Sequence, residues 1–219
     1  MRPKKTILLT GFEPFGGESI NPSWEAVRLL EGKIMSDGSV IAVARLPCAF
    51  VHSLDDLEQQ VRKHKPHIVV CVGQAGGRAE MSIERVAINV DDARIPDNFG
   101  AQPIDVAIRA DGPAAYFSSL PIKAIVAALQ ANEIPAAVSQ TAGTFVCNHV
   151  FYGLMQVAAQ APKIKRAGFV HIPFLPQQAL RHPNAPSMSL EMMVAGLLQI
   201  IESTLAVKTD LVVAGGSTH

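Results

Sequence analysis

Short apolar, often β-branched runs alternate with longer amphipathic segments along this chain, and that alternation constrains the fold more than any other feature. The runs Thr6–Thr10, Val40–Leu46, Ile68–Val72, Ala136–Val138 and Gly168–His171 predict strands buried on both faces. Between them, apolar residues at helical spacing predict helices over Ser23–Leu30, Leu54–His64, Pro121–Ala131, Phe145–Ala159 and Leu190–Leu205. In the last of these, Met192, Met193, Gly196, Leu197, Ile200, Ile201 and Leu205 form one stripe, which reads as core packing. Strand and helix in alternation predict an α/β fold, a single-domain α/β/α sandwich around a largely parallel, twisted sheet. With 219 residues, 48% of them hydrophobic, the chain can bury one substantial core, so residues 1–219 are expected to form one domain. The segment Ile83–Val90 is too short a pattern to assign, a hairpin strand being one reading.

Charge and cysteine content narrow the functional classes. Nineteen Lys and Arg balance nineteen Asp and Glu, so no electrostatic argument favours a nucleic acid or a membrane surface as partner. The cluster Lys163-Ile164-Lys165-Arg166 reads as a solvated loop. No stretch approaches the roughly 20 apolar residues of a membrane span. The first apolar run is too short for a secretory signal and breaks at Gly11-Phe12-Glu13-Pro14, so the expected compartment is the cytoplasm. The three cysteines, Cys48, Cys71 and Cys147, form no CxxC pair and leave an odd thiol. Neither a disulfide framework nor a zinc site is expected, and each thiol is core filler or chemistry.

Ligands of α/β folds bind on the loops after strand carboxyl ends, which singles out residues 11–21, 73–79, 140–144 and 172–187. The segment 91–113, rich in Pro and Gly, is too long for a plain connection. Cys147 follows the turn Gly143-Thr144. With Thr144 as N-cap it takes the third helical position, where the helix dipole and open N–H groups favour a thiolate. The competing reading is a buried cysteine on an apolar helix face. Cys71 lies within the apolar run His67–Gly73 and reads as a core thiol. Cys48 has no activating neighbour in sequence. His149, two residues from Cys147, points to another helix face and reads as a packing or hydrogen-bonding residue. His171 closes a predicted strand and is the candidate base. Glu84, in the apolar run Ser82–Asn89, needs a partner if buried; an ion pair with Arg85 or another arginine is the plainer reading, orientation of an imidazole the other. Phe12 and Phe15 sit on a Gly-rich turn able to clamp a small flat ligand. Gln74 and the free amides of Gly73–Arg78 suit a neutral polar one.

Four stretches, GFEPFGGESINPSWEAV at 11–27, GQAGGRAEMSIERVAINVDDARIPDNFG at 73–100, SQTAGTFVCNHVFYGLM at 139–155 and HIPFLPQQ at 171–178, resemble the pyroglutamyl peptidase I (pyrrolidone-carboxylate peptidase) family. The ending Gly215–His219 is also similar to that family's tail. The resemblance implies an α/β/α sandwich with a Cys–His–Glu triad of Cys147, His171 and Glu84. It implies that Phe12 and Phe15 pack on the pyrrolidone ring, that Gln74 and backbone groups near Ile95 contact its lactam, and that Arg94 lies near the oxyanion. Asp97 falls in a family-like loop without an assigned role. The implied substrates are peptides with an N-terminal pyroglutamyl residue, the implied assembly a homotetramer, and no metal or cofactor is called for. Such a substrate has no free α-amine, so aromatic walls and lactam hydrogen bonds suit it better than a carboxylate trap. Two other classes compete. A nucleoside phosphorylase-like transferase would depend on phosphate and ignore thiol alkylation. A small-molecule binding protein would bind without turnover.

Overall fold

In a computed structural model, which describes residues 5–216, strands and helices alternate as the apolar pattern requires. Chain order is β1 (Thr6–Phe12), α1 (Pro22–Val27) with a 3₁₀ turn over Arg28–Leu30, β2 (Val40–Leu46), α2 (Phe50–His64), β3 (Ile68–Gln74), β4 (Met81–Glu84), β5 (Val86–Ile88), β6 (Ala115–Phe117), α3 (Ile122–Ala131), β7 (Ala136–Ser139), α4 (Val146–Gln160), β8 (Arg166–Ile172), α5 (Pro176–Ala179) and α6 (Leu190–Ala206). Six strands form one sheet in the order β2-β1-β3-β8-β4-β7, and β5 pairs with β6 in a separate ribbon. In the large sheet the ladders β1–β2, β1–β3, β3–β8 and β4–β7 are parallel and β4–β8 is antiparallel; the β5–β6 ribbon is antiparallel as well. The expected α/β sandwich with a largely parallel sheet is therefore met.

The continuous apolar runs are explained by burial on both faces. On β3, Ile68, Val70 and Val72 join Val170 and Ile172 of β8 in a core shared with α1, α3 and α6. Their neighbours Val69, Cys71, Ala167 and Phe169 face the other way, into a core with α2 and α4. The Met193, Leu197, Ile200 and Ile201 stripe of α6 lies in the first core, as its spacing requires.

Three differences from the sequence pattern have tertiary causes. The stretch Ile83–Val90 holds two strands, broken at Arg85. The Arg85 N–H bonds to Ser139 beyond β4, and its carbonyl accepts from Ser118 beyond β6, so the chain crosses there from the large sheet to the small ribbon. Helix α2 begins at Phe50, four residues before the apolar periodicity does. Its first N–H donates to Asp97 Oδ2 at 2.9 Å, a cap supplied by a distant loop. Helix α4 begins at Val146, and Thr144 is not its N-cap: the Thr144 hydroxyl donates instead to the Asp92 carbonyl at 2.8 Å. Cys147 is consequently the second helical residue rather than the third. No helix among the described residues is long and apolar enough to cross a membrane. The family-like ending beyond Gly216 lies outside the described residues.

Candidate active site

The site is assembled where β3 and β8 end side by side, with Gly73 opposite His171 and Gln74 opposite Ile172. Gly73 faces the start of α4. A Cβ built there would stand 2.8 Å from Cys147 Sγ and 2.8 Å from Phe169 Cζ. The thiol thus rests against bare backbone beside the strand that carries His171, and the Phe169 and His171 rings are 4.9 Å apart. A glycine is required at 73 by this close approach. Gly73→Ala is expected to displace the sulfur or the Phe169 ring, to cost about 1–3 kcal/mol of stability and to lower activity about 10- to 100-fold. Thermal unfolding and turnover of the purified variant check both.

His171 is buried, and its Nδ1 lies 2.7 Å from Glu84 Oε1. A carboxylate partner makes Nδ1 the donor and leaves Nε2 as the free, basic nitrogen. Glu84 is fully buried and closes β4, which runs antiparallel to β8, so it reaches the imidazole from the neighbouring strand. Its ionic partner is Arg78, not Arg85. Arg78 Nη1 donates to the same Oε1 at 2.7 Å, and its Nη2 donates to the Thr141 carbonyl at 3.0 Å. Arg85 instead reaches the Gly215 carbonyl. Arg78 therefore joins the loop after β3, the buried carboxylate and the loop before α4. Its place in Gly73–Arg78 was visible in sequence, but the turn that aims it back was not.

Burial acts against the helix-terminus effect at Cys147. Cys147 keeps some exposed surface, yet burial pushes its thiol up to about 12. The Glu84 charge adds to the rise, and the Arg78 guanidinium opposes it. Enclosure thus works against the helix terminus and favours the thiol form of Cys147. Its alkylation by iodoacetamide is expected to accelerate about tenfold per pH unit between about pH 6 and 9; a plateau in that range would reveal a preformed thiolate. Cys71 is fully buried and pushed to about 12 by burial, as a core thiol should be. Cys48 is buried as well, and burial raises its thiol, the nearby Cys147, Glu13 and Asp97 adding to the effect.

The remaining candidates surround this centre in different ways. Phe12 ends β1 fully buried, its ring centroid 6.3 Å from that of Phe169. Phe15 is only partly buried and lies 6.1 Å from Phe145, which meets Phe50 edge-on at 5.4 Å. Phe50 and Phe145 extend the aromatic wall, and sequence reading passed over both. Gln74 Oε1 accepts from Nε2 of the buried Gln178 at 3.0 Å. Gln178 also donates toward Glu18 and accepts from the Leu175 N–H, tying together the loops at 11–21 and 172–187. Arg94 and Ile95 are exposed, on a segment held at both ends. Before them, Asp92 bonds Thr144; after them, Asp97 caps α2, and Asn98 donates to Glu13 Oε1 and the Pro14 carbonyl. Asp97 and Glu13 thus organise loops. His149 pairs with Asp91 at 2.7 Å, the hydrogen-bonding role expected of it.

A cysteine at the start of a helix, set against the strand pair whose buried histidine is held at Nδ1 by a buried carboxylate, is an arrangement used by hydrolases with a cysteine nucleophile. Known proteins identify which of them. A family model described as pyroglutamyl peptidase matches residues 5–207, and the chain belongs to that family and is a hydrolase of its peptidase class. It is 62% identical over 216 residues to the pyrrolidone-carboxylate peptidase of Cupriavidus pinatubonensis, covering 98% of this chain and 100% of that one. Identity to the enzyme of the same name from Bacillus cytotoxicus is 57% over 215 residues, covering 98% and 100%. Among solved structures, pyroglutamyl peptidase I of Bacillus amyloliquefaciens superposes with a TM-score of 0.93 at 48% identity, covering 97% of this chain and 100% of that chain. Pyrrolidone carboxyl peptidase of Thermococcus litoralis gives 0.92 at 35% identity, covering 96% and 99%. The family expected from the four sequence stretches is thereby established.

Proposed function

We propose that this chain hydrolyses the bond after an N-terminal pyroglutamyl residue of peptides, with Cys147 as nucleophile, His171 as base and Glu84 holding the imidazole. The observation that supports the assignment of roles is the 2.7 Å bond between His171 Nδ1 and Glu84 Oε1, which leaves Nε2 free to accept a proton. From the thiol form that burial favours, His171 takes the proton as the sulfur attacks the pyroglutamyl carbonyl. The C–N bond then breaks, and the imidazolium gives that proton to the departing amine. Water loses a proton to His171 and attacks the thioester. Free pyroglutamate leaves, and the sulfur regains its proton. Glu84 stabilises the imidazolium in both halves.

The surroundings support a neutral ring as substrate. Phe15 and Phe145 offer aromatic surface at the rim, backed by buried Phe12. Gln74 has its side-chain oxygen held by Gln178, which leaves its amide nitrogen to donate to the lactam. Main-chain groups near Ile95 complete the lactam contacts, and the exposed guanidinium of Arg94 serves the oxyanion. The test is release of a fluorogenic amine from pyroglutamyl and prolyl amides in the absence of phosphate. Turnover of the pyroglutamyl amide alone, lost on iodoacetamide treatment, is expected. Absence of turnover by folded, reduced protein would overturn the reading, and a phosphate requirement would favour a transferase.

A further inference from the structure

The mechanism leaves one buried ionisable pair unused. Asp91 and His149 are both buried, and His149 Nδ1 lies 2.7 Å from Asp91 Oδ2. The outer atoms of the pair, Asp91 Oδ1 and His149 Nε2, are buried without a partner among the described residues. Such a pair is an expensive way to fill a core, because each orphaned atom forgoes its hydrogen bonds with water. Its position shows what the expense achieves. His149 is on α4, two residues after Cys147. Asp91 is three residues before Arg94, and its main chain bridges to Val106, with N–H to carbonyl distances of 2.7 and 2.9 Å. The imidazole also receives the Phe50 ring edge-on, centroids 5.5 Å apart. The Phe50 N–H is the one that Asp97 accepts. Both ends of the Arg94–Pro96 span therefore meet at one imidazole: Asp91 bonds to it, and Asp97 reaches it through Phe50.

We infer that the Asp91–His149 pair is a positioning device that fixes the exposed Arg94–Ile95 span relative to the helix carrying Cys147. It is not part of the proton path, and it sets substrate affinity rather than thiol reactivity. The inference rests on the proposed reading that this span contacts the pyroglutamyl group. The charge-bearing neighbours of the pair are few: Cys147 precedes it on α4, Asp92 and Arg94 follow it on the loop, and Asp97 caps the helix packed against it.

The test compares wild type, the double variant Asp91→Leu/His149→Leu, and His149→Asn. The double variant removes both polar partners, so no charge is stranded in the core. In His149→Asn the amide nitrogen occupies the place of Nδ1 and restores the bond. Three quantities are measured: KM and kcat for a pyroglutamyl aminocoumarin, the rate of Cys147 alkylation by iodoacetamide, and Tm. The double variant is expected to raise KM about tenfold or more while kcat and the alkylation rate stay within about threefold of wild type. His149→Asn is expected to recover KM to within about threefold. If the double variant does not fold, Asp91→Ala, which strands a histidine able to stay neutral, carries the same expectations. A folded variant with wild-type KM, or a loss in kcat and alkylation rate at unchanged KM, would overturn the inference. Wild type without turnover would instead refute the proposed reaction, which keeps the two failures apart.

Discussion

Cys147→Ala is expected to lower kcat/KM on pyroglutamyl amides by about 10⁴-fold or more while leaving the fold unchanged. The loss is large because no other thiol can stand in. Cys71 points into the core beneath Gly73 on the same strand face, fully buried, and Cys48 is enclosed between the Glu13 and Asn98 contacts. The fold survives because the substitution removes one sulfur from a site that already tolerates open surface. Binding of the ring does not need the nucleophile, so the variant should still bind a pyroglutamyl peptide with near wild-type affinity. Titration calorimetry of the variant beside its turnover assay checks both halves. Turnover that persists in Cys147→Ala would remove this residue from the mechanism.

Loss of the buried carboxylate ranks second. Glu84→Ala should lower kcat by about 10³-fold or more, because it releases both groups that Oε1 holds. His171 loses the acceptor that fixes its tautomer, and the Arg78 guanidinium loses its counter-charge. Glu84→Gln should be milder, about 10- to 100-fold. A glutamine oxygen in the place of Oε1 still accepts from both Arg78 and His171, and its amide nitrogen replaces Oε2, which has no hydrogen-bond partner among the described residues. What the glutamine lacks is the charge that stabilises the imidazolium. The order Ala below Gln below wild type, with KM changed little, is the expected pattern in steady-state kinetics. Equal losses in the two variants would assign the whole effect to charge.

Much of this was legible in the chain itself. Residues 68–73 are apolar at every position, which is the mark of a strand with cores on both sides, and β3 is that strand. The α6 stripe and the His171 strand were equally plain. What escaped were features made by partners far away in sequence. The first turn of α2 carries no apolar period and is held by Asp97, 47 residues on. Strands β4 and β5 are four and three residues long, below the length at which a period can be read. Thr144 has the chemistry of an N-cap, but the helix starts one residue later, with Phe145 at the cap position, and Thr144 is tied to Asp92 instead.

The division at the site has the same physical origin. The sequence by itself determined the residue types: a cysteine at the start of a helix, a histidine closing a strand, a carboxylate among apolar neighbours, and the motif blocks that define the family. Those are properties of a residue and its near neighbours, set by periodicity and local chemistry. The tertiary structure decided which partner each one meets. It chose Arg78 over Arg85 for Glu84, set burial against thiolate formation at Cys147, and brought Asp91 to His149 across 58 residues. Burial and electrostatic pairing depend on what the fold lays alongside a group, and no local pattern records that.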